Sequence, residues 1–357
     1  MGELIGGYHD DDIVIVGFAL NTSAGDNSES FWENISNNIE CINKISGQRK
    51  EDFINFCKNK YNTDDLGLLE GGLIKNIDLF DNKFFHIREL DALCSSPCMR
   101  MHLEVMWKAL EDAGYKESDL NGEKIDVYTG IVTDAQIYEY RERVKWYNKS
   151  MLPVAINGNL LSVIPAALAY YLNLKGAAAV IDTACSSSST AIIQASRALK
   201  SGNCNAAVVA GGRVIYSPVN DADEMIGIES SDFRARPFDE TADGTVHGEG
   251  VAAIVIKKYS QALIDNDRIY AVIKGYATNQ SGKTARIGVT DHESQMNVII
   301  NGIKNSGLNA EDIQYCEAHG TGTYIGDSLE ILGIEKALRE STEKKGFCGV
   351  GSIKANI

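Results

Sequence analysis

Short runs of apolar and β-branched residues alternate along the chain with stretches whose apolar positions recur every three or four residues. Ile13–Val16, Ile125–Gly130, Ala177–Ile181, Ala206–Ala210, Val251–Ile256 and Ala271–Ile273 read as buried strands. Helical spacing predicts helices from about Glu29 to Ile39, from Pro97 to Gly114, from about Leu161 to Leu172, and from the serines after Cys185 to near Gly202. The second is the best delimited: Pro97 suits a first helical position, Met99, Leu103, Met106 and Leu110 form an apolar stripe, and Gly114 stops it. Residues 40–80 are wetter and of mixed charge, with no element assigned. Near the end, Asp327-Ser-Leu-Glu330 has an acceptor followed three residues later by glutamate, which predicts a helix start with Asp327 as its N-cap. Strands alternating with helices imply an α/β sheet covered on both faces.

Composition narrows the function. With 357 residues, 44% of them hydrophobic and only 5 prolines, the chain has material for a large core. A formal net charge of −15 argues against nucleic acid or an anionic membrane as the main partner. Arg141, Arg143 and Lys145 form one candidate basic patch and Arg234 with Arg236 another; a solvated face is the competing reading of both. The eight cysteines show no paired C-x-x-C spacing and no secretory signal precedes them, so they read as reduced and the protein as cytoplasmic. Cys94 and Cys98 lack companions for a zinc site, so no metal is expected. The most apolar stretch, Leu161 to Leu174, is too short and interrupted to span a bilayer.

Cys185 stands where the apolar run Ala177–Ile181 gives way to a helical pattern. The first turn of a helix carries unpaired N–H groups and the positive end of the macrodipole, which suits a thiolate nucleophile. By itself the position fits a packing cysteine equally well. Two later segments add chemistry: Tyr315-Cys-Glu-Ala-His-Gly-Thr-Gly-Thr323 offers His319 at a strand end, and Gly351-Ser-Ile-Lys-Ala-Asn-Ile357 offers Lys354 at another.

These three segments resemble the β-ketoacyl synthase family, whose patterns are DTACSSS, EAHGTGT and GSxKxNIGH. The likeness extends through Ile13-Val-Ile-Val-Gly17, Phe31-Trp32, Leu103–Gly114, Arg236-Pro-Phe-Asp239, Gly248-Glu-Gly250 and Gly326-Asp327, and is nearer to modular polyketide synthases than to stand-alone fatty acid enzymes. The resemblance implies a thiolase-like α/β fold of two similar βαβαβαββ halves in an α-β-α-β-α arrangement. Residues 1–11 would be a lead or linker and 12–357 the ketosynthase domain, its halves meeting near Lys257.

It further implies that Cys185 accepts an acyl chain from acyl carrier protein and that His319 stabilises the enolate formed when a malonyl extender loses CO2. Lys354 would sit beside the histidine and pair with Glu317. Thr321 and Thr323 would hydrogen-bond the phosphopantetheine arm, although threonines satisfying their own loop are an equal reading. Phe238 would line the pocket and Asn356 support it. No cofactor is expected beyond the carrier's own arm, and the partners implied are acyl carrier protein, a second copy of the chain and other synthase domains. The family's next residues, Gly-His, fall directly after Ile357. The second half is therefore expected to be incomplete at its C-terminus, as in a truncated record, with decarboxylation impaired and acyl transfer retained. Departures include Ser328 where the family has proline, Ser95-Ser96-Pro97, Ala177, and Lys283-Thr-Ala-Arg-Ile287 near the substrate entrance. Alternatives are a non-condensing acyl-transfer or scaffolding module, and a cysteine hydrolase using Cys185, His319 and Asn356.

Overall fold

The computed structural model describes residues 7–62, 70–132, 135–215, 227–284 and 289–357. The chain opens with β1 (Ile13–Thr22), α1 (Ser28–Ser36), β2 (Asn43–Lys44), α2 (Gly47–Tyr61) and β3 (Glu70–Gly71). Next come α3 (Glu89–Cys94), α4 (Pro97–Asp112), α5 (Glu117–Leu120), β4 (Ile125–Gly130), α6 (Ala135–Tyr147), α7 (Leu152–Gly158) and α8 (Val163–Tyr171). Then follow β5 (Ala178–Ile181), α9 (Ser187–Lys200), β6 (Ala206–Arg213), β7 (Gly250–Lys258), α10 (Tyr259–Ile264) and β8 (Ala271–Ile273). The last elements are α11 (His292–Ser306), β9 (Tyr315–Glu317), α12 (Tyr324–Arg339) and β10 (Gly349–Gly351), and then a 3₁₀ turn over Ile353–Ala355.

Six strands form one mixed sheet in the order β5-β4-β6-β7-β1-β8. The β5-β4-β6 part is parallel and the rest antiparallel. Alternate residues of β6 serve the two faces, as the pleat requires. Val208 and Ala210 join a core with α4 and α8, while Ala207 and Val209 join another with Ala191, Ala195 and Leu199 of α9. The sheet is thus sandwiched between helices. β9 and β10 pair in parallel as a separate two-stranded sheet.

α4 behaves as its sequence predicts. Ser96 caps it, its hydroxyl accepting from the Met99 amide; Pro97 opens it; and Gly114 takes a left-handed φ of 84° just beyond its end. Leu103, Met106 and Leu110 are buried almost completely. The bulge in β1 around Val16 brings Gly17 against α4, where a Cβ would stand 2.5 Å from the Ala109 carbonyl oxygen.

Two expectations are corrected. The wet region 40–80 contains α2, which buries Phe53, Phe56 and Cys57 beneath a charged outer face; its 15-residue run includes nine polar side chains, so the pattern read as solvent-exposed. The small-residue helix expected over about Leu161–Leu172 is present as α8, Val163–Tyr171. Asp327 does not cap a helix: α12 begins at Tyr324, with Thr323 in the N-cap position, and Asp327 lies inside the first turn, 5% exposed. Of the departure at Lys283–Ile287, residues 285–287 lie outside the described residues.

Candidate active site

The nucleophile candidate is presented by a strained turn. β5 ends at Ile181, Ala184 adopts φ 55°, and α9 begins at Ser187, leaving Cys185 exposed between them. A left-handed alanine is uncommon and costs on the order of 1 kcal/mol, so the surroundings must hold it. Serines do this: the Ser187 hydroxyl donates to the Ala184 carbonyl oxygen (2.6 Å) and accepts from the Thr183 amide (2.9 Å), and the Ser186 hydroxyl donates to the Thr183 carbonyl oxygen (2.8 Å). The floor is made by glycines at neighbouring strand ends. A Cβ on Gly130 would lie 2.5 Å from the Ser188 nitrogen, and one on Gly211 would lie 2.1 Å from the Ser188 hydroxyl oxygen.

The remaining candidates gather around the loop between β9 and α12. His319 follows β9; the residue reaches solvent, while its imidazole is partly covered by the surrounding loops. Burial against the loops around it, then the nearby Lys354 ammonium, hold its pKa below 6.5. Lys354 sits in the 3₁₀ turn after β10, a strand paired residue for residue with β9. The Ser352 hydroxyl donates to the Gly320 carbonyl oxygen at 3.0 Å, joining the lysine segment to the histidine loop. The Thr321 and Thr323 hydroxyls lie 3.1 Å apart.

Glu317 does not pair with Lys354. No ion pair within 4.0 Å joins them; the Glu317 carboxylate accepts from the Ile353 amide (2.9 Å) and the Tyr315 hydroxyl (2.8 Å). Asn356 faces the other way, its amide nitrogen donating to the Asn38 side-chain oxygen and the Ile39 carbonyl oxygen, both at 3.2 Å. It anchors the lysine segment to the first half of the chain.

Phe238 also has a positive φ, 64°, and its ring lies 3.2 Å from where a Cβ on Gly320 would stand. Gly322 is equally closed in, by the Gly244 carbonyl oxygen and the Arg236 amide. The 235–244 and 319–323 loops therefore pack on each other.

Three features escaped the sequence reading. One is the glycine floor beneath α9. Another is Glu330, whose carboxylate accepts from the His319 and Gly320 amides; the acid pair at 327 and 330 was visible but assigned to a cap. The third is a buried ion pair, Arg49–Glu249 at 2.5 Å, whose carboxylate also accepts from the Ile74 (2.7 Å) and Ile215 (2.6 Å) amides. Its glutamate lies in the Gly-Glu-Gly segment, but its arginine lies 200 residues earlier.

The two candidate basic patches are spent internally. The Arg143 guanidinium stacks 3.7 Å over Phe56, and Lys145 pairs with Glu142. Arg234 pairs with Glu40 and Glu70, and Arg236 with Asp232. Among the described residues no single helix is long and apolar enough to cross a membrane.

An exposed cysteine on a strand-to-helix turn, with a histidine-lysine-threonine loop cluster on a second, parallel strand pair, defines a thiolase-like α/β protein. Its lineage is specific. The chain belongs to the β-ketoacyl synthase family: residues 10–262 match the N-terminal domain and residues 270–357 the C-terminal domain. It is 34% identical to polyketide synthase PksL of Bacillus subtilis and 34% identical to orsellinic acid synthase ArmB of Armillaria ostoyae, over 97% of its length in each case. The chain spans only 8% and 15% of those proteins. Among solved structures it resembles the ketosynthase from module 6 of the Bacillus subtilis bacillaene synthase (TM-score 0.82, 33% identity). It also resembles the oxazolomycin ketosynthase domain OzmH KS7 of Streptomyces albus (TM-score 0.83, 29% identity). These matches cover 97% and 98% of this chain, and 57% and 59% of the solved ones.

Proposed function

We propose that this chain, as residues 12–357, is a ketosynthase domain of a polyketide synthase, its two halves meeting near Lys257, and that Cys185 is its acyl-accepting nucleophile. The observation that carries this is the exposed Cys185 thiol on a strained turn at the head of α9, floored by Gly130 and Gly211. The Cys185 thiol gives up its proton, the thiolate attacks the thioester carbonyl of an acyl chain on acyl carrier protein, and the phosphopantetheine thiolate leaves and takes up that proton. A malonyl thioester then loses CO2, and the electron pair of the broken bond becomes an enolate. His319, kept neutral at pH 7, donates a hydrogen bond to the enolate oxygen, and Lys354 adds positive field. The enolate carbon attacks the acyl carbonyl and the Cys185 thiolate leaves.

Thr321 and Thr323 are the hydrogen-bonding residues for the phosphopantetheine amides, and Phe238 lines the acyl pocket. Glu317 supports the site through the Ile353 amide, and Asn356 by tying the lysine segment to Asn38 and Ile39. The domain needs no cofactor of its own; the arm arrives on the carrier protein. The partners are acyl carrier protein, the neighbouring domains of a large synthase, and a second copy of the chain, in the cytoplasm. A homodimer is favoured by β5, an edge strand whose outer side has no partner among the described residues.

Intact-protein mass after incubation with a short acyl thioester tests the reading. An adduct of one acyl group, absent in Cys185→Ala, supports it. A folded protein that takes no acyl group refutes it and favours a scaffolding module.

A further inference from the structure

The turn over Ser230–Phe233 holds a phenylalanine where the backbone resists one. Phe233 has φ 58°, in the left-handed region, and its amide closes the turn on the Ser230 carbonyl oxygen at 3.3 Å. Bulky side chains rarely adopt that region. Neighbouring side chains enforce it. One Asp243 oxygen accepts from the Ser231 amide at 3.1 Å and the Ser231 hydroxyl at 2.5 Å, and the other lies 2.7 Å from the Ser230 hydroxyl. Arg234 donates to the Phe233 carbonyl oxygen at 2.9 Å while pairing with Glu40 and Glu70.

Packing inside the protein does not account for this ring. Phe238, the other left-handed phenylalanine, lays its ring 3.2 Å from where a Gly320 Cβ would stand, so its conformation serves a contact between loops. Phe233 is half-buried and joins none of the apolar cores, and among the described residues no aromatic ring stacks on it. Its place in the fold is the informative part. Two residues on, the Ala235 Cα and the Arg236 nitrogen stand 3.3 Å and 2.8 Å from the position of a Gly322 Cβ, and Gly322 lies between Thr321 and Thr323. Two residues span at most about 7 Å of chain, so Phe233 stands at the edge of the threonine loop.

We propose that Phe233 forms an apolar subsite for the pantetheine arm, its ring against the geminal dimethyl group while Thr321 and Thr323 take the amides. The proposal rests on the reading of those threonines as arm-binding residues. Strained residues persist where the surroundings over-determine them, and they cluster at ligand clamps. A flat apolar face beside two hydroxyls matches an arm that is itself part apolar and part amide. The subsite makes Phe233 a specificity residue: it favours thioesters carried on the full arm over short thioesters that lack the dimethyl group.

The test uses the whole 357-residue protein with Phe233→Ala, Phe233→Gly and Phe233→Tyr, each first shown to melt cooperatively. Cys185 loading is timed from two donors, an acyl pantetheine and the matching N-acetylcysteamine thioester, which carries the thiol end without the dimethyl group. Phe233→Ala and Phe233→Gly are expected to lose on the order of 10-fold in kcat/KM with acyl pantetheine, through a raised KM, as for two methyls returned to water. Loading from the short thioester should not change, and Phe233→Tyr, which keeps the ring, should keep both rates. Phe233→Gly should also melt above Phe233→Ala, since glycine adopts φ 58° without strain. Equal loss from both donors, no loss from acyl pantetheine, or a Phe233→Tyr protein as slow as Phe233→Ala overturns the proposal. A second readout needs no chemistry at Cys185. In Cys185→Ala, saturation transfer from the protein should reach the geminal methyl protons of pantetheine and vanish when Phe233→Ala is added; a signal that is absent, or that persists in the double variant, overturns the subsite too. If Thr321→Val with Thr323→Val leaves loading from acyl pantetheine unchanged, the threonine reading fails, and the methyl signal still decides for Phe233.

Discussion

The floor under Cys185 gives the sharpest test of how the fold makes the site. In Gly130→Ala the new Cβ stands 2.5 Å from the Ser188 nitrogen and 2.6 Å from the Ser187 carbonyl carbon. An ordinary contact needs about 3.4 Å, so the first turn of α9 must retreat by roughly 0.9 Å, carrying the Cys185 turn with it. Both obstructing atoms are backbone, so no side-chain rotation relieves them. Overpacking of this kind costs about 1–3 kcal/mol, and a displacement near 1 Å can slow chemistry on the order of 100-fold. Gly211→Ala meets a different obstacle, the Ser188 hydroxyl oxygen at 2.1 Å, with its Cβ at 3.0 Å. Ser188→Ala should therefore restore much of what Gly211→Ala loses and nothing of what Gly130→Ala loses. The assay is the rate of Cys185 acylation by intact mass beside a thermal melt. Gly302→Ala serves as control: it sits in α11 with nothing within 4 Å of a Cβ, and should stabilise by up to about 1 kcal/mol. A Gly130→Ala protein that acylates and melts like the unaltered one would refute the argument, as would equal rescue of both alanines by Ser188→Ala.

Other outcomes follow from buried charge. His102 is wholly buried with Nδ1 donating to the Cys98 carbonyl oxygen at 2.8 Å, and burial lowers its pKa from 6.5 to about 4. Between those values the unfolded chain binds the proton and the folded one does not. Stability should therefore fall by roughly 3 kcal/mol as pH drops from 6.5 to 4, and urea melts of His102→Gln should lose this component of the acid sensitivity. Removing one partner of the buried Arg49–Glu249 pair strands the other and orphans the Ile74 and Ile215 amides, so Glu249→Ala should lose about 3–5 kcal/mol in chemical unfolding. Because the Lys354 charge helps hold the His319 pKa down, Lys354→Met should raise the His319 midpoint in a proton NMR titration; a fall would contradict their proximity.

The sequence by itself determined the elements whose stability is local and periodic. The strands read from apolar runs and α4, with its Ser96 cap, Pro97 start and Gly114 stop, stand where their residues place them, because period, cap and breaker act within a few neighbours. It also marked Cys185 at the strand-to-helix junction and His319 and Lys354 at strand ends, since a motif is local by definition. α2 was not legible, because its apolar residues are too few to stand out until Arg49 finds Glu249, 200 residues away. Asp327 and Glu330 read as a cap because two acids three residues apart look the same whether their acceptors serve their own helix or another loop. Which donors reach them, which glycines lie under α9, and whether Glu317 meets Lys354 or the Ile353 amide are decided by packing between segments far apart in the chain. Only the assembled sheets and helices bring those segments within the few ångströms over which hydrogen bonds and steric contacts act.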